Sequence, residues 1–310
     1  MNLFEYCGVN VRKFNHLQIV SINAYLDYIS TILHTRMDAI EKIVTFAQSS
    51  MMMTRRRYIF FDIDGTLKAG GYDNAYIPES TQQAIELLRR KGHFLAIATG
   101  RSEAMAREYL EQLGFENMVS DGGYGITIDG KLLGIEPLDR ELIIRLIDEC
   151  REHNMPWALQ LDNSDTRTAP DGRFEEFTRD IYMKTRIDPS LDPRACDTLY
   201  KAYVACREPD EQRLQTLREL PWCRFLPEYI FIEPADKARG VRYVLDHYGA
   251  RYEDAIVFGD GINDLSMFVD VWTKVAMGNA CEELKQRADY ITTDVDKDGI
   301  WNACKALELF

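Results

Sequence analysis

The sequence lacks the residue pairs that bind zinc or build a disulfide framework. Its seven cysteines are scattered and odd in number, and none is spaced as C-x-x-C. Its five histidines form no H-E-x-x-H pair. Scattered thiols are typical of a reducing compartment, so we expect reduced cysteines and a cytoplasmic location. Any metal ion would have to be bound by oxygen ligands.

An excess of basic residues is also missing. The chain has 37 Lys and Arg against 50 Asp and Glu, a net charge of -13. Because nucleic-acid-binding proteins need a basic stripe, we expect no nucleic-acid partner. A phosphorylated small molecule is not excluded, since the local charge at a site can oppose the overall charge.

Long apolar segments are absent as well. No uncharged apolar run reaches the roughly 18 residues that a membrane span needs. The first ten residues, MNLFEYCGVN, lack the basic region and apolar core of a secretory signal. We therefore expect no membrane association.

The pattern of apolar residues divides the remaining chain into core and insert. Residues 55–137 and 229–310 alternate strand-like and helical segments, which predicts an α/β fold with a Rossmann-like parallel-sheet core. Residues 138–228 predict an inserted α/β cap domain. Within these segments, residues 229–232 are predicted to be a core strand and residues 209–220 a cap helix.

Residues 1–54 have a different pattern. Apolar residues between positions 17 and 46 have the spacing of one amphipathic helix, and three methionines follow at positions 51–53. In one interpretation, this segment is a helix that docks on a partner or a second subunit. In the other, which we favour, the natural start is one of the three methionines and the upstream part is an extension.

Polar residues end three of the predicted core strands. DIDGT begins at Asp62, TGR at Thr99 and GDGIND at Gly259. If the strands are parallel, all three segments meet at one edge of the sheet, where such sheets bind ligands. Four carboxylates there would repel one another unless a cation lies among them. Oxygen ligands without His or Cys indicate Mg²⁺, which commonly shares its site with a substrate phosphate.

These residue types suit phosphoryl transfer. A carboxylate can attack phosphorus and form an aspartyl-phosphate. A second carboxylate can donate a proton to the leaving oxygen and later take one from water. A Thr hydroxyl and a Lys ammonium would hold the phosphoryl oxygens, where negative charge accumulates.

The chain resembles the haloacid dehalogenase-like hydrolase superfamily, and within it the Cof-type phosphatases that carry a type-IIB cap. Four motifs occur in the family's order: DIDGT from Asp62, ATGR from Ala98, DKARGV from Asp236 and GDGIND from Gly259. One D-x-D-G alone is weak evidence, because turns collect Asp and Gly. Four motifs in order are strong evidence. The resemblance covers about residues 57–310.

The resemblance implies a catalytic role for three residues. Asp62 would be the nucleophile and a Mg²⁺ ligand. Asp64 would be the general acid and base, and its backbone carbonyl would also bind the metal ion. Lys237 would neutralise the charge of the phosphoryl group and orient Asp62.

The resemblance also implies binding roles. Thr99, Gly100 and Asn263, together with Lys237, would bind the substrate phosphate. Asp260 would bind Mg²⁺ directly, and Asp264 would bind it directly or through water.

Together these observations predict a Mg²⁺-dependent phosphatase that hydrolyses a small phosphate monoester through an aspartyl-phosphate. The resemblance implies sugar phosphates or phosphorylated cofactors such as pyridoxal phosphate or flavin mononucleotide. One alternative is a phosphomutase on the same scaffold. Another is a phospho-sugar-binding or regulatory protein with little turnover, although a binder would have little use for Asp64. The sequence predicts neither the individual substrate nor the oligomeric state.

Three further features leave the substrate open. The family often has Asn where this chain has Asp121, so a substrate preference cannot be transferred. Arg101 could contact substrate or, equally, pair with a surface carboxylate. The cap aromatic residues Trp157, Trp222 and Phe225 are predicted to be core residues rather than a stacking platform.

Overall fold

The structure is a computed structural model that describes residues 55–71 and 74–310. The predicted N-terminal helix lies outside the described residues, and so does the side chain of Phe225. Residues Arg56–Phe310 form one unit, to which the following description applies.

The described residues contain fourteen strands and seven α-helices. None of these helices is long and apolar enough to cross a bilayer. The strands are β1 (Tyr58–Phe61), β2 (Phe94–Ala98), β3 (Asn117–Ser120), β4 (Gly125–Ile128), β5 (Lys131–Ile135), β6 (Trp157–Gln160), β7 (Thr166–Ala169), β8 (Lys184–Ile187), β9 (Lys201–Ala205), β10 (Trp222–Leu226), β11 (Tyr229–Ile232), β12 (Ala255–Gly259), β13 (Thr273–Ala276) and β14 (Tyr290–Ile291). The helices are α1 (Glu79–Arg90), α2 (Glu103–Gln112), α3 (Arg140–Glu152), α4 (Arg173–Thr178), α5 (Lys237–His247), α6 (Glu282–Lys285) and α7 (Gly299–Ala306).

Eight strands form the core sheet, in the order β14-β13-β12-β1-β2-β3-β4-β5. Neighbours from β14 to β3 are parallel, and β4 and β5 add an antiparallel edge. Successive side chains of β1 alternate between two buried apolar clusters, because strand side chains point to opposite faces of a sheet. Ile59 and Phe61 join one cluster, and Tyr58 and Phe60 join the other. The central strands are therefore buried on both faces, as expected for a parallel sheet.

A second sheet of six strands has the order β10-β11-β9-β6-β7-β8. Helix α3 contributes to the apolar cluster on one of its faces. Phe174 of α4 packs with Tyr203 and Tyr229 on the other. The predicted fold class, a parallel-sheet α/β core with a second α/β layer, is confirmed. The exact domain boundaries stay a prediction.

Two segment predictions were wrong. Strand β11 was predicted to be a core strand, but it pairs antiparallel with β9 and β10 in the second sheet. Its sequence, YIFI, is buried throughout and would suit either sheet. Residues 209–220 form two 3-10 turns, Asp210–Arg213 and Gln215–Arg218, instead of a helix. Leu214 interrupts the helical path with an extended backbone, at φ -96° and ψ 96°.

The predicted burial of the cap aromatic residues is confirmed in one case and wrong in another. Trp157 is 3% exposed and packs in the second sheet's apolar cluster. Trp222 is 39% exposed, because it lies on β10 at the edge of that sheet.

A tight backbone contact fixes the start of α5 against the core sheet. Gly122, at φ +61°, accepts a hydrogen bond from the Asp236 amide at 2.9 Å. A Cβ atom on Gly122 would lie 1.8 Å from the Pro234 carbonyl oxygen. Only glycine therefore fits here, and the contact sets the position of the helix whose first residue is Lys237.

We expect Gly122→Ala to lower the unfolding temperature far more than Gly130→Ala. Both residues have positive φ, so both substitutions introduce backbone strain of about 1 kcal/mol. At Gly130 a Cβ would meet nothing within 4 Å, whereas at Gly122 it would collide with backbone and add about 1–3 kcal/mol. Thermal unfolding of the two variants measures the difference. Equal shifts would contradict the tight contact.

Candidate active site

The carboxyl ends of three parallel core strands bring the sequence motifs together. Asp62 directly follows β1, Thr99 follows β2 and Asp260 follows β12. The pairing of Phe61 with both Ile97 and Phe258 places these three strand ends side by side. They line a cleft of about 390 Å³, to which the second sheet contributes one wall.

Lys237 is the electrostatic link of the site. Its ammonium lies 2.7 Å from Asp62 Oδ1 and 2.5 Å from Asp264 Oδ1. All three side chains are at least 95% buried. Burial lowers the pKa of Lys237, but the charges of Asp264 and Asp62 outweigh this effect and hold the pKa above its usual value. The ammonium is therefore a fixed positive charge beside Asp62.

Asp264 also shapes the loop that follows β12. Its Oδ2 atom accepts hydrogen bonds from the backbone amides of Asp260 at 2.8 Å and Gly261 at 3.0 Å. A Cβ atom on Gly259 would lie 2.7 Å from Asp264, so glycine allows this close approach. One carboxylate thus orients both Lys237 and the loop that carries Asp260.

Asp260 is held by residues from two other segments. Thr66 donates a hydrogen bond from Oγ1 to Asp260 Oδ1 at 3.1 Å. Asn279 donates from Nδ2 to the Gly65 carbonyl at 2.9 Å and lies 3.4 Å from Asp260 Oδ2. These two roles were not predicted from the sequence, although Thr66 belongs to the DIDGT motif and Asn279 to the segment MGNA.

Three carboxylates share a small volume at the floor of the cleft. Asp62, Asp260 and Asp264 each offer an oxygen atom, and these atoms lie within 4.8 Å of one another. Burial and the charges of Asp264 and Asp64 outweigh the attraction of Lys237 and raise the pKa of Asp62 to about 7. Burial and the charges of Asp62 and Asp264 raise the pKa of Asp260 to about 8. One ammonium therefore does not compensate the three carboxylates.

The geometry of this carboxylate group fits one Mg²⁺. Ligand atoms at 2.0–2.1 Å in octahedral geometry lie about 3 to 4.2 Å apart, and the three carboxylate oxygens, all within 4.8 Å of one another, need only small side-chain adjustments to reach such distances. Hard oxygen donors are the ligands that Mg²⁺ prefers. The fourth predicted ligand is the backbone carbonyl of Asp64, which stays a prediction, and the Asp64 side chain is not part of this group.

Asp64 pairs instead with two cations. Arg101 binds it through two hydrogen bonds, from Nε to Oδ2 at 2.7 Å and from Nη2 to Oδ1 at 2.8 Å. Lys68 Nζ lies 2.5 Å from Oδ1. Burial raises the pKa of Asp64, but the bonds from Arg101 and Lys68 outweigh it and hold the pKa below its usual value. Of the two interpretations of Arg101, the structure shows the carboxylate pair. The role of Lys68 was not predicted, because residues 64–68 form a turn, and the i+4 spacing that pairs side chains on a helix gives no signal there.

The predicted phosphate-binding residues line the same cleft. Thr99 is 2% exposed, and its Oγ1 accepts a hydrogen bond from the Arg101 amide at 3.1 Å. Gly100 and Asn263 also line the cleft. From the second sheet, Lys201 donates to the Gly100 carbonyl at 2.6 Å. A contact from the second sheet therefore reaches the loop that carries Thr99.

The family to which the chain belongs is indicated independently of this geometry. Residues 59–304 match the family model of the haloacid dehalogenase-like hydrolases. The chain belongs to this family. The matched range includes the four sequence motifs and both sheets, so the predicted family is confirmed.

Individual relatives agree with the family match. The chain is 32% identical over 258 residues to the "Putative phosphatase YkrA" of Bacillus subtilis, covering 82% of this chain and 98% of that protein. A crystal structure of a hypothetical protein from Geobacillus kaustophilus superposes with a TM-score of 0.72 at 34% identity, covering 83% of this chain and all of that one.

The structure of BT4131, described as a sugar phosphatase of HAD subclass IIB, superposes with a TM-score of 0.68 at 24% identity. It covers 82% of this chain and all of that one, and it supports the fold. The family and its phosphatase-named relatives confirm the predicted enzyme class, a HAD-like phosphatase.

We expect the stability of the protein in a chelator to fall as the pH rises towards about 7 to 8, and to level off above that range, where both groups are ionised. Asp62 and Asp260 have raised pKa values in the folded state, so the folded protein holds protons there that the unfolded chain has released. The stabilisation from these protons is lost as the pH rises through the folded pKa values. Thermal unfolding between pH 6 and pH 9 measures the change.

Magnesium should remove this decline, because a divalent cation compensates the carboxylates above pH 8. The matched variant Asp260→Asn should show a shallower decline in chelator and a smaller Mg²⁺ effect. An unfolding temperature in chelator that stays level or rises between pH 6 and pH 9 would contradict the interpretation of the carboxylate group.

Proposed function

We propose that the protein is a Mg²⁺-dependent phosphatase that hydrolyses a small phosphate monoester through an aspartyl-phosphate on Asp62. The observation that carries this proposal is that Asp62 contacts the Lys237 ammonium and shares with Asp260 and Asp264 a carboxylate group suited to a divalent cation. Lys237 engages Asp62 Oδ1 at 2.7 Å. We assign Oδ2 as the attacking atom.

In the first step, Asp62 Oδ2 forms a bond to phosphorus, and the bond from phosphorus to the ester oxygen breaks. The electron pair of that bond goes to the leaving alcohol, which takes a proton from Asp64. Lys237 and the Thr99 hydroxyl stabilise the phosphoryl oxygens, where charge accumulates. The products of this step are the free alcohol and a phosphorylated Asp62.

In the second step, Asp64 takes a proton from a water molecule whose oxygen attacks phosphorus. The bond between phosphorus and Asp62 breaks, which restores the carboxylate and releases inorganic phosphate. Because the bonds from Arg101 and Lys68 hold the pKa of Asp64 below its usual value, the group is ionised at neutral pH, the state that this step requires. The first step requires a protonated Asp64. Weakening of the ion pair between Asp64 and Arg101 would favour that protonation.

Four groups would hold Mg²⁺: the side chains of Asp62, Asp260 and Asp264 and the backbone carbonyl of Asp64. When bound, the ion supplies positive charge that offsets the charge of the phosphoryl oxygens. Asp264 already uses Oδ1 for Lys237 and Oδ2 for two backbone amides. We therefore propose that it acts on the ion mainly through water.

We expect Asp62→Asn to lower Mg²⁺-dependent phosphate release by about 10³-fold or more, because an amide cannot replace the carboxylate nucleophile. Asp64→Asn should lower it by about 10²- to 10⁴-fold through loss of proton transfer. The control Asp270→Asn makes the same chemical change at a side chain that is 98% exposed, and it should retain activity.

Phosphate release from a generic aryl phosphate and a panel of phosphorylated sugars and cofactors provides the measurement. Full activity of Asp62→Asn would contradict the assigned nucleophile. Isomerisation of a hexose phosphate without phosphate release would instead identify a phosphomutase. Tight binding of a phosphate ester without turnover would indicate a regulatory binding protein.

A further inference from the structure

We propose that the cleft selects phosphate esters whose leaving alcohol carries an aromatic ring, over esters of polyhydroxylated alcohols such as hexose phosphates. This inference rests on the proposed phosphatase function. It concerns the wall of the cleft opposite the carboxylate group, where the part of the substrate beyond the phosphate would lie.

The second sheet presents a mainly apolar surface to the cleft. The described lining residues on this side are Leu226 of β10 and Phe231 of β11, together with Tyr182, which precedes β8, and Glu233, which follows β11. The rings of Tyr182 and Phe231 contact each other edge to face, with centroids 6.0 Å apart and planes at 73°. Phe231 is 6% exposed and also packs against Tyr203 and Tyr229, so it supports the half-buried Tyr182 ring at the cleft wall. A ring held in this way can contact an aromatic ring of a ligand edge to face or offset-stacked.

The charged residue on this wall is already compensated. Glu233 is 7% exposed, and its Oε2 accepts a hydrogen bond from Lys201 Nζ at 2.7 Å. Lys201 is 3% exposed and also donates to the Gly100 carbonyl. This ion pair links the second sheet to the loop that carries Thr99, so we do not assign it to substrate binding.

The basic side chains on the opposite wall also form ion pairs within the protein. Arg101 and Lys68 both bind Asp64. Among the described residues that line the cleft, these two are the basic side chains, so a second phosphate or a carboxylate on the substrate would find no uncommitted cation. The cleft therefore favours a leaving alcohol without a second anionic group.

Hydroxyl-rich groups fit this wall poorly. A buried hydroxyl without a hydrogen-bond partner is costly, and a hexose would place several against Leu226 and Phe231. An aromatic ring carries no such cost and gains contact area. The cleft volume of about 390 Å³ lies within the usual range for small-molecule sites.

The test compares benzyl phosphate with glucose 6-phosphate. Both are esters of primary alcohols, so a difference in kcat/KM reports recognition rather than the leaving-group chemistry. We expect kcat/KM with Mg²⁺ to be at least about tenfold higher for benzyl phosphate. Higher kcat/KM for glucose 6-phosphate would overturn the inference and leave the proposed function intact.

Two variants of Tyr182 locate the effect. Tyr182→Ala should lower kcat/KM for benzyl phosphate about tenfold and change that for glucose 6-phosphate less than about twofold. Tyr182→Phe keeps the ring and should keep the preference. Phe177→Ala, which removes a ring that is 42% exposed and does not line the cleft, serves as the control. Equal losses on both esters in Tyr182→Ala would contradict the assigned contact.

Hydrolysis of neither ester would contradict the proposed function, and direct binding would then decide the inference. Calorimetry with Mg²⁺ would give the dissociation constant of each intact ester. Tighter binding of benzyl phosphate would support the aromatic site. Tighter binding of glucose 6-phosphate would overturn it.

Discussion

The buried ammonium of Lys237 between Asp62 and Asp264 is the interaction on which the site depends. It joins the end of β1, the start of α5 and the loop after β12, three segments far apart in sequence. Removing one partner of a buried ion pair typically costs about 3–5 kcal/mol, because the remaining charge is left without compensation. The same contact therefore stabilises the packing of these three segments and places a positive charge beside the proposed nucleophile.

The carboxylate group remains under-compensated even with this ammonium. Asp260 adds a third negative charge, and Thr66 and Asn279 hold it in place with neutral hydrogen bonds. Electrostatics therefore favours a cation at the floor of the cleft, while the wall from the second sheet is mainly apolar. A reacting phosphate would lie at the charged floor, and the remainder of its ester would lie against the second sheet.

The sequence could predict the motifs and the parallel core because their signals are local. Strand β1 is continuously apolar, and Asp62 follows it directly. The sequence therefore indicates both a buried strand and a site residue at its end. The sheet to which β11 belongs could not be predicted, because YIFI is equally suited to both sheets and its pairing depends on β9, more than twenty residues away. The pair between Asp64 and Arg101 spans 37 positions and depends on the side-by-side arrangement of β1 and β2. The charge state of Lys237 likewise depends on packing, since burial and two carboxylates act on it in opposite directions.

The most direct test of the proposed chemistry is to locate the phosphoryl group during turnover. The Asp64→Asn variant, in which transfer to water should be slowed, would be mixed with an activated aryl phosphate and Mg²⁺, quenched in acid and digested for mass spectrometry. We predict one phosphoryl group on the peptide that contains Asp62, and none there in the double variant with Asp62→Asn. A phosphoryl group on another residue, or phosphate release with no covalent intermediate at any time point, would contradict nucleophilic attack by Asp62.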